Sequence, residues 1–307
     1  NTYAFCVNFY RDCQGIEPPS SVNLDFFSQS CNQSFSINID STMTGLEVSQ
    51  LCPDTLPFST CNSNNLPGVE LTVYCDTIIL PDTCSDWVIS FSISTRNQNV
   101  VNLVNPDSEA LYVEVTLDNT NNICNNSVDY SSSPVVYTCD SADLCFNHGA
   151  YDVDGDSLYF SLVPPKGTGG TPIAWTPGYS LANPIITYSG FNFDPITGQM
   201  CWTAMGQQIC VISMMVEEWR EINGIWTLIA TSIREMQVIV MECDISQPYL
   251  IGGIQNLQGG SLADSVTINI CPGDTVSYDL VFDDDDDDAI LKVTSNSDLV
   301  APGSTLD

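Results

Sequence analysis

Fourteen cysteines stand against a single histidine, His148, and that imbalance constrains the fold more than any other feature. Structural zinc sites draw on Cys-x-x-Cys pairs and histidines, and no Cys-x-x-Cys occurs in this chain. The irregularly spaced thiols Cys6, Cys13, Cys31, Cys52, Cys61, Cys75, Cys84, Cys124, Cys139, Cys145, Cys201, Cys210, Cys243 and Cys271 therefore read as disulfide candidates. Their connectivity does not follow from the sequence. Their number implies an oxidising, extracytoplasmic compartment.

What those bridges would staple is almost entirely β. Runs of β-branched and aromatic residues recur, among them LTVYC, WVISFSIS, ALYVEVTL, LYFSLV, CVISMMV and MQVIVM, punctuated by Asn, Asp, Ser, Pro and Gly clusters. This is the pattern of tandem Ig-like or cadherin-like β-sandwich domains. In VISMMVEEWREINGIWTLIATSIREMQVIV, Asn223-Gly224 separates two β-rich arms, and both residues tolerate positive φ, so a long hairpin is expected. The 307 residues exceed what one core normally serves. The polar stretch 121–135 closes a first disulfide-rich sandwich (1–134), a second runs over 135–243, and 244–307 reads as a linker and the start of a third, incomplete domain. No apolar run reaches the ~18 residues of a membrane helix.

The charge balance excludes one class of partner. Thirty-eight acids face six bases, a net charge of -32, and the bases Arg11, Arg96, Lys166, Arg220, Arg234 and Lys292 are scattered. Such a surface repels phosphate backbones, so nucleic acid is not expected. Clustered carboxylates instead favour divalent cations. Asp152, Asp154 and Asp156 surround Gly155 in YDVDGDSLYF, directly before a strand. An EF-hand would need an acid at its twelfth position, where Val163 stands. The alternatives are a turn whose aspartates cap backbone N–H groups and a turn that also holds calcium. The run 283–288, with Asp284, Asp286 and Asp288, poses the same choice between a solvated loop and a calcium loop.

Catalytic signals are sparse. G-x-S-x-G and H-E-x-x-H are absent from the sequence, and His148 beside a bridge candidate reads as a packed or surface residue rather than a catalytic one. Arg220 and Arg234 lie on the two hairpin arms near Glu217, Glu218 and Glu235, which suggests cross-strand ion pairing. Trp175 and Tyr179, in a Pro/Gly-rich excursion, are candidates for a glycan shelf. A secreted carbohydrate-binding or carbohydrate-cleaving module is thus the alternative to a non-enzymatic surface protein.

A series of motifs carries a family resemblance. Asn1-x-Tyr3 with YRDC (10–13), SQLCPDTLPFSTCNSNNLPGVEL (49–71), LPDTCSDWVISFS (80–92), RNQNVVNLVNP (96–106), CNNS (124–127), FNHGAYDVDGDSL (146–158), FDPITGQM (193–200) and VEEWREINGIWTLIATSIREMQVIV (216–240) follow in order. This series, covering about residues 1–243, resembles the amino-terminal region of large surface proteins of the Bacteroidota. Those proteins are described as gliding-motility-associated or PKD/Ig-domain adhesin-like, and they end in a type IX secretion sorting domain. The resemblance implies export across the outer membrane, a chain of β-sandwiches, and a role as adhesin or filament segment whose partners are neighbouring domains, copies of itself or a surface ligand. Two departures stand out: members carry an additional strand before the Asn1 equivalent, and Ser94-Thr95 replaces a vicinal cysteine pair. Asp-Ser/Thr triplets resemble the O-glycosylation sequon of this phylum and imply glycans on Ser41, Thr55, Thr77, Ser141, Ser157, Ser265 and Thr275.

Overall fold

A computed structural model describes residues 2–51, 54–94, 96–120, 124–243, 248–271, 273–286, 291 and 293. Cys52 and Asp288 lie outside them. The first region holds β1 (Thr2–Asp12), β2 (Ser21–Ser28), β3 (Gln33–Glu47), β4 (Val69–Ile79), β5 (Trp87–Ile93) and β6 (Leu111–Leu117). The second holds β7 (Asp129–Tyr130), β8 (Val135–Cys139), β9 (Asp143–Phe146), β10 (Ala150–Tyr151), β11 (Ser157–Val163), β12 (Thr187–Phe193), β13 (Met200–Ala204), β14 (Gln208–Ile222) and β15 (Ile225–Met241). Beyond these lie β16 (Tyr249–Gln258), β17 (Ser261–Leu262), β18 (Ile268–Asn269) and β19 (Ser277–Asp283), paired β16 with β19 and β17 with β18. No α-helix occurs among the described residues, so the expected all-β, disulfide-stabilised sandwich architecture is what the chain adopts.

One ten-stranded sheet runs β1-β4-β3-β2-β5-β6-β15-β14-β11, with β8 added parallel to β15. It folds over in the first region because β3 serves two partners. Its first half pairs with β2 and its second half with β4, across register shifts between Ser41 and Leu46. Gly45 lies in that stretch at φ 74°, a backbone that L side chains resist. Such a bend lets a strand change sheets and turn a sandwich corner. The odd residues of β1, Tyr3, Phe5, Val7 and Phe9, then face β2 and β5 across a core around Phe26, Tyr74 and Trp87. Phe26 stacks on Phe35 at 4.9 Å and meets Phe5 edge-on at 5.2 Å.

In the second region β12-β13-β9 packs over β14 and β15, burying Met200, Trp202, Ile212, Met236 and Val238. The Asn-Gly hairpin forms as expected, with Asn223 at φ 53° and Gly224 at φ 81°. The first half of β14 is buried on both faces, since Val100, Leu103 and Ile173 cover Val211 from outside. Strand β6 joins the regions: it pairs with β5 along its length and with Ala230–Ser232 of β15. The polar stretch 121–135 thus separates two cores but not two sheets.

Bridges follow this layout. Cys6–Cys75, Cys13–Cys61 and Cys31–Cys84 close the first region, and Cys139–Cys243 and Cys145–Cys201 the second. Cys6 faces Cys75 across β1 and β4, and Cys145 faces Cys201 across β9 and β13. Among the described disulfide candidates three are unpaired: Cys124 and Cys271 are exposed, and Cys210 is buried in the second core.

Candidate functional site

The D-x-D-G-D loop is assembled by its own backbone. Asp152 Oδ1 accepts N–H bonds from Asp154 (2.9 Å) and Asp156 (3.0 Å), and Gly155 takes φ 83° before β11 begins at Ser157. This is the Asx-type capping that the residue types favour. The positive charge that meets the loop comes from Arg220 on β14. Its guanidinium grips Asp156 at 2.5 and 2.7 Å and approaches Asp154 at 3.7 Å. It also donates to the Cys124 carbonyl and to Asn125 Oδ1. Asp154 in turn accepts the Asn126 N–H at 2.6 Å.

Beneath this layer Glu218 is fully buried and accepts from Asn125 Nδ2 (2.5 Å) and the Val128 N–H (3.2 Å). Burial pushes its pKa up to about 6 against the pull of those donors. Carboxylate oxygens of Asp152, Asp156 and Glu218 lie within 4.8 Å of one another. Asp152 Oδ2 is buried with no hydrogen-bond partner. All-oxygen donors suit a hard cation such as calcium. The set differs from the expected one: Glu218 enters, and Asp154 turns to Asn126. Glu218 was legible only through register, because it faces Leu158 of β11 across the ladder. At the other acidic run, Asp284 Oδ1 accepts the Asp286 N–H at 2.9 Å and Tyr249 donates to Asp285.

The expected ion pairing along the hairpin needs correcting. On β14 and β15, side chains alternate between faces, so Arg220 and Arg234 point inward while Glu217 and Glu235 point outward. Arg234 donates to the Ser132 carbonyl (2.5 Å), lies 4.0 Å from the Tyr130 ring centroid and contacts His148 Nδ1 at 3.2 Å. His148 is buried, its Nε2 has no partner, and burial beside Arg234 drives its pKa down to about 3. Of the packed and surface settings the sequence left open, it takes the packed one, as a neutral imidazole. Glu235 pairs with Arg96, which also donates to the carbonyls of Ala110 (3.1 Å) and Lys166 (2.7 Å). That buried contact ties the loop after β5 to β15 and to the 164–186 excursion.

Trp175 and Tyr179 do not share a face. Trp175 packs on Val100, Leu103 and Ile173 outside β14, while Tyr179 packs against the inner core. Among the implied glycosylation positions, Thr77, Ser141, Ser157, Ser265 and Thr275 are exposed, whereas Ser41 and Thr55 are half-buried.

No family model matches the sequence, and no curated protein does. Among solved structures, the two tandem V-type regions of VCBP3, a v-region-containing chitin binding protein, align at 12% identity and a TM-score of 0.32. That alignment covers 78% of this chain and 98% of the other.

Proposed function

We propose that the chain is a non-enzymatic extracellular segment of a surface adhesin or filament, exported across the outer membrane of a bacterium by type IX secretion. The observation that supports this reading is the single sheet running through both regions. It is locked by five bridges and by the buried Arg96–Glu235 contact. A continuous hydrogen-bonded ladder with covalent staples resists extension, which suits a load-bearing stalk. Bridges of this number also require an oxidising setting.

Assembly would use the β1 edge. The Cα atoms of Cys6 and Cys75 are 4.2 Å apart, the separation of a non-hydrogen-bonded pair, so the Cys6 N–H and C=O point away from β4. Asn8, two residues on, presents its N–H the same way. Strand addition at such an edge is an established route to polymers. Electron microscopy of the native surface should show fibres carrying this chain, and Asn8→Pro, which removes an outward donor, should abolish them. Fibres unaffected by that change would remove β1 from the mechanism; a bare surface would remove the filament reading.

Calcium belongs to the same reading as a stiffener of the 124–128 and 152–156 junction, held by Asp152, Asp156 and Glu218. The melting temperature should rise with millimolar calcium and fall with chelator, and Asp152→Asn should erase the difference. An unchanged melt discards the ion.

A further inference from the structure

The outer face of the hairpin carries an arrangement that the fold does not use. On this face Tyr159 of β11 stands opposite Glu217 of β14, and Trp226 of β15 stands opposite Glu221. Trp219 lies between the two glutamates on the same face of β14, because residues 217, 219 and 221 alternate with the buried side. Ring and carboxylate therefore alternate across three strands: Tyr159, Glu217, Trp219, Glu221, Trp226. A register shift after Glu218, which leaves Ile229 unmatched, brings Trp226 and Leu228 onto this face. Trp226 is 59% exposed, and Tyr159 and Leu228 are each 40% exposed. The Trp219 indole is steadied by donating to Glu217 Oε2 at 3.1 Å.

Charge complementarity identifies the occupant. No basic side chain among the described residues pairs with Glu217 or Glu221. The described bases are engaged elsewhere: Arg11 with Glu70, Arg96 with Glu235, Lys166 with Glu114, Arg220 with Asp156 and Arg234 with Ser132 and Tyr130. A second copy of the described chain offers no free cation, and an anionic polymer would be repelled by the net charge of -32. Diagonal neighbours across a sheet are roughly 7–8 Å apart. Alternate side chains of an extended peptide are separated by about 6.5–7 Å. A ring face with a carboxylate beside it holds an ammonium or guanidinium by cation–π attraction and ion pairing together.

We propose that Tyr159, Trp219 and Trp226, with Glu217 and Glu221, form a docking strip for an extended segment of another protein bearing Lys or Arg at alternate positions. The probe is a fluorescent peptide alternating arginine and serine, read by anisotropy. The protein should come from a host that adds no O-glycans, since Ser157 stands opposite Trp219. The peptide should bind, a glutamate–serine peptide should not, and raising NaCl from about 50 to about 300 mM should weaken binding about tenfold. Trp226→Ala and Glu221→Gln should each lose about threefold to fivefold. Asp107→Asn, an equal charge change at an exposed residue elsewhere, should lose nothing comparable. Circular dichroism checks that each variant is folded. Equal losses in all three variants, or none, would mean diffuse attraction to an acidic surface and would overturn the strip. Trp226-dependent binding of a neutral oligosaccharide instead of the peptide would overturn the basic partner.

Discussion

The two cores of this sheet solve the same packing problem by different means. The first buries Phe26, Ile39, Tyr74, Leu80 and Trp87 and carries three bridges, with the Arg11–Glu70 ion pair of β1 and β4 outside that cluster. The second carries two bridges and hides His148, Asp156 and Glu218 along the inner side of β14 and its neighbours. Buried charge costs several kcal/mol of desolvation per ion unless geometry repays it. Where chain segments are held covalently, the fully buried side chains are chiefly apolar. Where the 124–132 and 148–156 segments must be positioned without a bridge between them, directional polar contacts from Arg220, Glu218 and Arg234 do so. The largest test of that contrast is the buried Arg96–Glu235 pair that spans the regions. Arg96→Met should cost about 3–5 kcal/mol, because Glu235 would be left buried and uncompensated. Replacing both, Arg96→Met with Glu235→Leu, should recover most of it in a denaturant melt. A double variant no better than the single one would show that Arg96 acts through its bonds to Ala110 and Lys166 instead.

Covalent locking predicts a smaller effect on the other side. Cys31→Ser with Cys84→Ser opens a bridge spanning 53 residues and should cost about 2–4 kcal/mol, chiefly by freeing the unfolded chain. Proteolysis of that variant should cut first between β1 and β5 and leave the second core protected. Cleavage spread over both regions would mean that the shared sheet, through β6, makes them one cooperative unit.

Local chemistry was legible in the sequence, and long-range partnership was not. Asn223-Gly224 announced its hairpin because both residues accept the positive φ that the turn demands. Gly155 among aspartates announced a capped turn before a strand for the same reason. Arg220, however, finds Asp156 across 64 residues and Arg96 finds Glu235 across 139. No local pattern encodes either pairing. The faces of the hairpin were legible only up to the irregularity after Glu218, beyond which simple alternation misassigns β15. Counted from the turn, alternation puts Trp219, Glu221, Trp226 and Leu228 on one face, but past the unmatched Ile229 it puts Arg234 on the wrong side. Trp175 and Tyr179 were visible as aromatics in a loop, but the loop wraps β14 and buries them on different sides.

The smallest expected effect separates the cores by pH. His148 is the only histidine, so between about pH 6.5 and 5 it is the side chain whose ordinary pKa falls in range. In the folded chain its pKa lies at about 3, against about 6.5 when unfolded. Above pH 6.5 both states are neutral and the residue makes no pH-dependent contribution. As pH falls below that, the unfolded chain takes up a proton that the folded chain refuses, so stability is lost progressively. The loss from His148 should reach roughly 2 kcal/mol at pH 5, partly offset by Glu218, whose folded pKa of about 6 makes the folded chain take up a proton in the same window. The depressed carboxyl of Asp86 in the first region, held down by bonds from Ser28 and Ser30, matters only as pH falls further, through the ordinary carboxylate range. Acidification to pH 5 should therefore lower the melting temperature through the second core alone. His148→Gln, which keeps an acceptor for Arg234 but does not titrate, should turn the decline into a small rise carried by Glu218. Parallel declines in wild type and variant would show that the imidazole is not what distinguishes the second core.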